Sequence, residues 1–128
     1  MKQLVLSIAS IYGALSVIFG AFGAHALKKV LNEAQLQSFE TGVKYQMYHA
    51  IVLLLVGFFL SFDTKLQISM GWSFIVGTFL FSFSIYLLSL SPVLGINFKF
   101  LGPVTPLGGL LIIVGWVLLF VVTLKKVA

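Results

Sequence analysis

Cysteine and arginine are absent from the 128 residues, and only three residues are acidic. Without cysteine there is no disulfide, no thiolate metal site and no catalytic thiol. Without arginine, the formal charge of +5 is carried by lysine alone. No nucleophile motif surrounds any serine, and no phosphate-binding glycine loop occurs. Acidic residues inside the apolar runs, which proton-coupled carriers need, are missing too. Charge of either sign is confined to Lys2, Lys28, Lys29, Glu33, Glu40, Lys44, Asp63, Lys65, Lys99, Lys125 and Lys126. The lysines are strung out rather than gathered into a patch, which argues against nucleic acid as a partner and reads instead as topology signals and headgroup contacts.

What the scarce charges leave between them is apolar. Charge-free stretches cover 3–27, 45–62, 66–98 and 100–124. A hydrocarbon core about 30 Å thick takes about 20 residues of helix to cross. With 60% apolar residues and a mean hydropathy of +1.14, the chain exceeds what a soluble fold of this size can bury. The expectation is an all-α membrane protein: four transmembrane helices in an antiparallel up-down bundle, with spans at about 4–26, 45–62, 68–90 and 104–124. These account for one membrane domain over 1–128, with the lipid bilayer as its first partner. Lys2, an apolar stretch and Ala24-His25-Ala26 have the outline of a secretory signal, but the stretch exceeds the usual limit of about 15 residues. It is read as a retained helix.

Local signals refine these spans. In span one Ser16, Gly20 and Ala24 recur every four positions, as do Ala9 and Gly13. That spacing makes a smooth stripe for close approach of a neighbouring helix. Asn32 with Gln35 has the form of a capping box. From there Leu36, Phe39, Val43, Met47 and Ala50 share one face, so an amphipathic stretch at the membrane surface is expected to lead directly into span two. Phe62-Asp63-Thr64-Lys65 reads as a polar turn, with Trp72 and Tyr86 as interfacial anchors of span three. Ser91-Pro92 predicts a helix end. Thr105 before Pro106 predicts the N-cap of span four.

Four spans put both termini and the 63–65 turn on one side with Lys2, Lys65, Lys125 and Lys126, opposite Lys28, Lys29, Lys44 and Lys99. Lysine counting therefore ties, and the charge rule leaves orientation undecided. The second of these sides collects the unusual chemistry. His25 ends span one and His49 begins span two, each close to a flanking lysine and so shallow. Glu40, Tyr45, Gln46, Tyr86 and Thr105 fall near them in an up-down arrangement. One polar pocket built from these seven residues is the candidate ligand site, with no residue assigned a catalytic role. Other readings of the same residues are a 2-His-1-carboxylate site from His25, His49 and Glu40, haem between the histidines, an anion at the start of span four, and plain hydrogen bonding that fixes packing. No metal or cofactor is assigned.

Three blocks carry a resemblance: Gly20-Ala-Phe-Gly-Ala-His25; Thr41-Gly-Val-Lys-Tyr-Gln46 through His49-Ala50; and Gly102-Pro-Val-Thr-Pro106-Leu-Gly-Gly109 with Gly115-Trp116. The chain resembles the YgdD/YwdK family of small bacterial membrane proteins, a family of unknown function. The resemblance implies four spans and a multi-pass bacterial inner-membrane location; Gly108, Gly109 and Gly115 join the span-one stripe as expected helix-packing positions. Basic residues in the second loop and C-terminal tail of such proteins favour cytoplasmic termini, which would put the histidine side outside. The leading expectation is a non-enzymatic protein whose outer-face pocket binds a lipid, a small ligand or a membrane-protein partner. Its rivals are a component of an oligomeric transporter, which needs a homo-oligomer to enclose a path, and a metal- or haem-dependent enzyme.

Overall fold

The computed structural model describes residues 1–127, with side chains through Lys125, so the Lys126 side chain lies outside the described residues. Four long helices run in chain order: α1 (Lys2–His25), α2 (Glu33–Phe59), α3 (Lys65–Leu94) and α4 (Val104–Val127). All four are long and apolar enough to cross a membrane, and no strand occurs among the described residues. With no water in the bilayer core, a helix is the simplest way for such a run to satisfy its own backbone. Sequence neighbours pack as antiparallel neighbours, α1 on α2, α2 on α3 and α3 on α4.

The helix ends follow from local chemistry. Asn32 and Gln35 form the expected box: Gln35 N donates to Asn32 Oδ1 at 2.8 Å and Asn32 N to Gln35 Oε1 at 3.1 Å. Beyond it α2 is one continuous helix. Its first turns run beside α1, with Gly23 against the Phe39 ring and Gly20 facing Val43. The amphipathic stretch is thus the opening of α2 itself, with its apolar face spent on α1. At the other end of α2, Lys2 Nζ donates to the Phe58 and Leu60 carbonyls at 3.0 and 3.3 Å. A cation on unsatisfied C-terminal carbonyls is favoured by both hydrogen bonding and the helix dipole. Thr64 caps α3 by accepting from Gln67 N at 3.2 Å.

Two boundary expectations are corrected. Pro92 does not end α3, which continues to Leu94 and stops at Gly95 in the left-handed region, φ 69°. A proline in the last turn removes only one helical hydrogen bond, and Gly95 N still reaches Ser91 O at 3.0 Å. Thr105 is not the N-cap of α4, because the helix already begins at Val104. The Thr105 hydroxyl instead meets Ser84 Oγ of α3 at 2.5 Å.

Packing depends on small residues, though not all of those expected. Gly13, Ser16 and Gly20 of α1 face α2 or the interior, but Ala24 is exposed and takes no part. The tightest contact is between α3 and α4. A Cβ on Gly77 would meet Ile112 N at 2.8 Å and Gly108 O at 3.0 Å, and one on Gly108 would meet Gly77 O at 2.9 Å. Gly115 holds the Phe74 ring at 2.8 Å from a virtual Cβ, whereas Gly109 has ordinary room beside Phe81 at 3.6 Å.

Candidate functional site

Gln46 and Tyr86 do come together, but in the middle of the bundle. Gln46 has no exposed surface. Its Nε2 donates to Tyr12 O on α1 at 2.9 Å, and its Oε1 accepts from Tyr86 OH on α3 at 2.6 Å. Tyr12 OH donates to Ile75 O at 2.7 Å, Ser16 Oγ to Tyr12 O at 2.8 Å, and Ser82 Oγ to Gly42 O at 2.8 Å. One side-chain network therefore ties α1, α2 and α3 at depth. Tyr86 is buried there and is not an interfacial anchor; its ring fills the notch left by Gly42, 2.7 Å from a virtual Cβ.

The shared histidine pocket is corrected. Gly13 lies opposite Ala50 and Gly23 opposite Phe39, so His25 is level with about residue 37 of α2. At 1.5 Å per residue, His49 then lies roughly 18 Å deeper. His25 is exposed beside Lys28 and Lys29, and Glu40 is exposed on α2. The 2-His-1-carboxylate and paired-histidine haem arrangements are not formed. Among the described residues no group of three His, Cys, Asp or Glu side chains can hold a metal ion.

His49 is 3% exposed and uses both ring nitrogens. Nδ1 lies 2.7 Å from Tyr45 O, and Nε2 accepts from Trp116 Nε1 of α4 at 3.1 Å. Because a carbonyl can only accept and an indole can only donate, these partners select the neutral ring with its proton on Nδ1. No lone pair is left for a metal or a substrate, so His49 bridges α2 to α4. His49→Phe and Trp116→Phe are each expected to lower stability in detergent by about 1 kcal/mol. The double variant should lose less than their sum; additive losses in thermal melts would mean that the bond is not formed. Tyr45, 42% exposed, contributes its carbonyl to His49 and sets its ring against Phe81, 5.1 Å between centroids.

Thr105 belongs to a different place. The starts of α2 and α4 converge over the end of α3 around a cleft of about 470 Å³, lined by Gln35, Ser38, Ser89, Gly102, Thr105 and Pro106 among others. Both helices present their N-terminal ends here, where backbone amides lack helical acceptors and the dipole is positive. Asn32 and Gln35 occupy part of this potential on α2. On α4, Pro103 and Pro106 have no amide hydrogen, leaving Val104 and Thr105 as first-turn donors. Ser89 is 4% exposed, and its Oγ has no hydrogen-bond partner. Such orphans are rare, because burying an unpaired hydroxyl costs about 1–3 kcal/mol.

A family profile described as "Protein of unknown function (DUF423)" matches residues 19–109, which include every residue lining the cleft. The chain belongs to the DUF423 family. Its relatives carry the name UPF0382 membrane protein. One from Staphylococcus haemolyticus (strain JCSC1435) is 36% identical over 126 residues, 98% of each chain. YwdK of Bacillus subtilis (strain 168) is 36% identical over 127 residues, again 98% of each chain. The inner membrane protein YgdD of Escherichia coli (strain K12) is 34% identical over 123 residues, covering 94% of this chain and 88% of that one. No solved structure matches the chain.

For this DUF423 chain, sequence reasoning found Gln46, Tyr86 and Thr105 but not the partners that give them meaning. Tyr12, Ser82, Ser84, Ser89, Gly77 and Trp116 went unassigned. The hydroxyls lie within apolar runs, and although Thr78, Ser82, Tyr86 and Ser89 recur at helical spacing, that stripe does not say which helix it meets. Only the placement of α3 between α2 and α4 reveals their roles.

Proposed function

We propose that this DUF423 protein is a non-enzymatic binding protein of the bacterial cell membrane, folded as one membrane unit with cytoplasmic termini. Its ligand site is the cleft between the starts of α2 and α4. The observation that carries this reading is the unpartnered, buried Ser89 hydroxyl in a cleft rimmed by Ser38, Gln35, Thr105 and two helix N-termini. Gln35 N is already spent on Asn32 and the Thr105 hydroxyl on Ser84, so the Ser89 hydroxyl and the first amides of α4 are what lack an acceptor, the complement of a ligand rich in oxygen. A binding role is favoured over catalysis because no nucleophile, base and acid meet in the cleft. Serine and threonine hydroxyls without a histidine or carboxylate beside them hold a ligand but do not activate one.

The absence of cysteine makes the test clean, since a single introduced thiol is the only one to label. In isolated native membranes Ser38→Cys should react with a maleimide slowly, and rapidly once the protein is extracted and delipidated. Glu33→Cys, on the exposed side of the same turn, should react alike in both. Equal labelling of Ser38→Cys in both preparations would remove the ligand. In intact cells a membrane-impermeant maleimide should reach Glu33→Cys; protection there would reverse the orientation.

A further inference from the structure

The cleft does not end at the headgroup level. At Pro106 it meets a second, deeper groove of about 530 Å³ between α2 and α4, floored by Phe81 and walled by Tyr45, Leu110 and Ile113. Pro106 lines both spaces. The upper one is hydroxyl-rich and faces two helix N-termini, and the lower one is almost wholly apolar. From Gly102 to Ile113 the pair extends roughly 16 Å at 1.5 Å per residue, about half of a 30 Å hydrocarbon core. A water-soluble ion would leave the lower groove unfilled, and an alkane would leave Ser89 unpaired.

We infer that cleft and groove together hold one phospholipid molecule, its phosphate at Ser89 and the first turn of α4 and one acyl chain along Tyr45, Phe81 and Ile113. The inference rests on the binding reading above and names its ligand. A phosphate offers several acceptor oxygens, which suits the free α4 amides and the Ser89 and Ser38 hydroxyls. The side of the membrane on which the cleft opens carries Lys28, Lys29, Lys44 and Lys99 against Glu33 and Glu40, four cations to two anions. That balance attracts an anionic headgroup, and phosphatidylglycerol is the natural probe.

Delipidated Ser38→Cys protein in detergent, followed by its maleimide labelling rate, decides the matter. Phosphatidylglycerol at several times its Kd should slow labelling by about fivefold, as occupancy of the cleft requires, and should leave Glu33→Cys unchanged. Dioleoylglycerol, which has the chains but no phosphate, and millimolar inorganic phosphate, which has no chain, should not protect. Gly109→Leu in the Ser38→Cys background places a side chain in the groove and should abolish the lipid's protection while leaving the lipid-free rate as it was. Should that variant not fold, Ser89→Ala in the same background serves instead, with protection weakened. Protection by inorganic phosphate alone would mean an ion site, and equal protection by dioleoylglycerol would mean a chain groove; either overturns the inference. If Ser38→Cys is protected in native membranes but phosphatidylglycerol does not restore protection after delipidation, the cleft binds something else. The lipid assignment then falls while the binding role stands.

Discussion

Gly108→Ala is expected to destabilise the protein by about 3 kcal/mol, the upper end of what overpacking costs, while Gly109→Ala one residue away is neutral or stabilising. At position 108 the new methyl has no side chain to push aside. It faces backbone, the Gly77 carbonyl and the Phe81 amide, so the two helices must separate. Gly77→Ala meets Ile112 N and Gly108 O from the other side and should cost as much. At position 109 the nearest atoms belong to the Phe81 ring at ordinary contact distance, and alanine in place of a helical glycine brings up to about 1 kcal/mol. Thermal melts in detergent, read on all three variants, check this directly. Equal melting of Gly108→Ala and Gly109→Ala would mean that α3 and α4 do not cross at Gly77. Because that crossing sets the start of α4 against Ser89, Gly108→Ala should also lose the protection of Ser38→Cys.

Why α3 and α4 approach so closely is only half visible in the chain. Gly108-Gly109 at the start of an apolar run draws notice as a packing site, but Gly77 stands six residues from Gly71, off the four-residue spacing of a close-packing stripe, and has no local signature. The spans themselves were legible because charge is so costly in hydrocarbon that its absence over a long run permits few structures. The Asn32–Gln35 box was legible for a different reason, since its two bonds close over three residues and need no tertiary contact.

Depth was the quantity that sequence reasoning misjudged. Taking Lys44 as the edge of the bilayer places His49 near the surface and beside His25. In the structure α2 lies alongside α1 from about residue 37 onward, with Lys44 exposed on the outer face of the bundle. A lysine stem about four carbons long lets its ammonium reach the interface from well inside, so a charged residue marks the end of a span only loosely. His49 is consequently a deep residue whose polar ring needs partners, and it finds them in Tyr45 O and Trp116. The candidate site moved for the same reason. Only Thr105 of the seven expected residues lines the cleft, and Ser89, its most informative member, lies inside the expected third span, where nothing in the sequence says which neighbour it faces.

Gln46→Leu is expected to cost about 2–3 kcal/mol, and Tyr86→Phe somewhat less, but the two together should cost less than their sum by about 1 kcal/mol. The leucine fills similar space, so the loss comes from the partners: the Tyr86 hydroxyl is left in hydrocarbon without an acceptor, an omission worth about 1–3 kcal/mol. Tyr86→Phe leaves Gln46 Oε1 unpaired instead, while Gln46 Nε2 keeps Tyr12 O at 2.9 Å. With both polar groups gone nothing is left unsatisfied at that bond, and replacing both partners of a buried pair comes close to neutral. Measured bonds between membrane helices average about 0.6 kcal/mol and reach about 1.7 kcal/mol, so the coupling sits within reach of melting experiments on the four proteins of the cycle. A strictly additive double variant would show that Gln46 and Tyr86 do not bond. A coupled one makes the pair the element that registers α2 against α3. Ser38 lies on α2 about two turns before Gln46, and Ser89 on α3 one turn after Tyr86. A slip of either helix at this pair would therefore separate the two hydroxyls of the cleft, and Gln46→Leu should speed the labelling of Ser38→Cys in native membranes as well as lower the melting temperature.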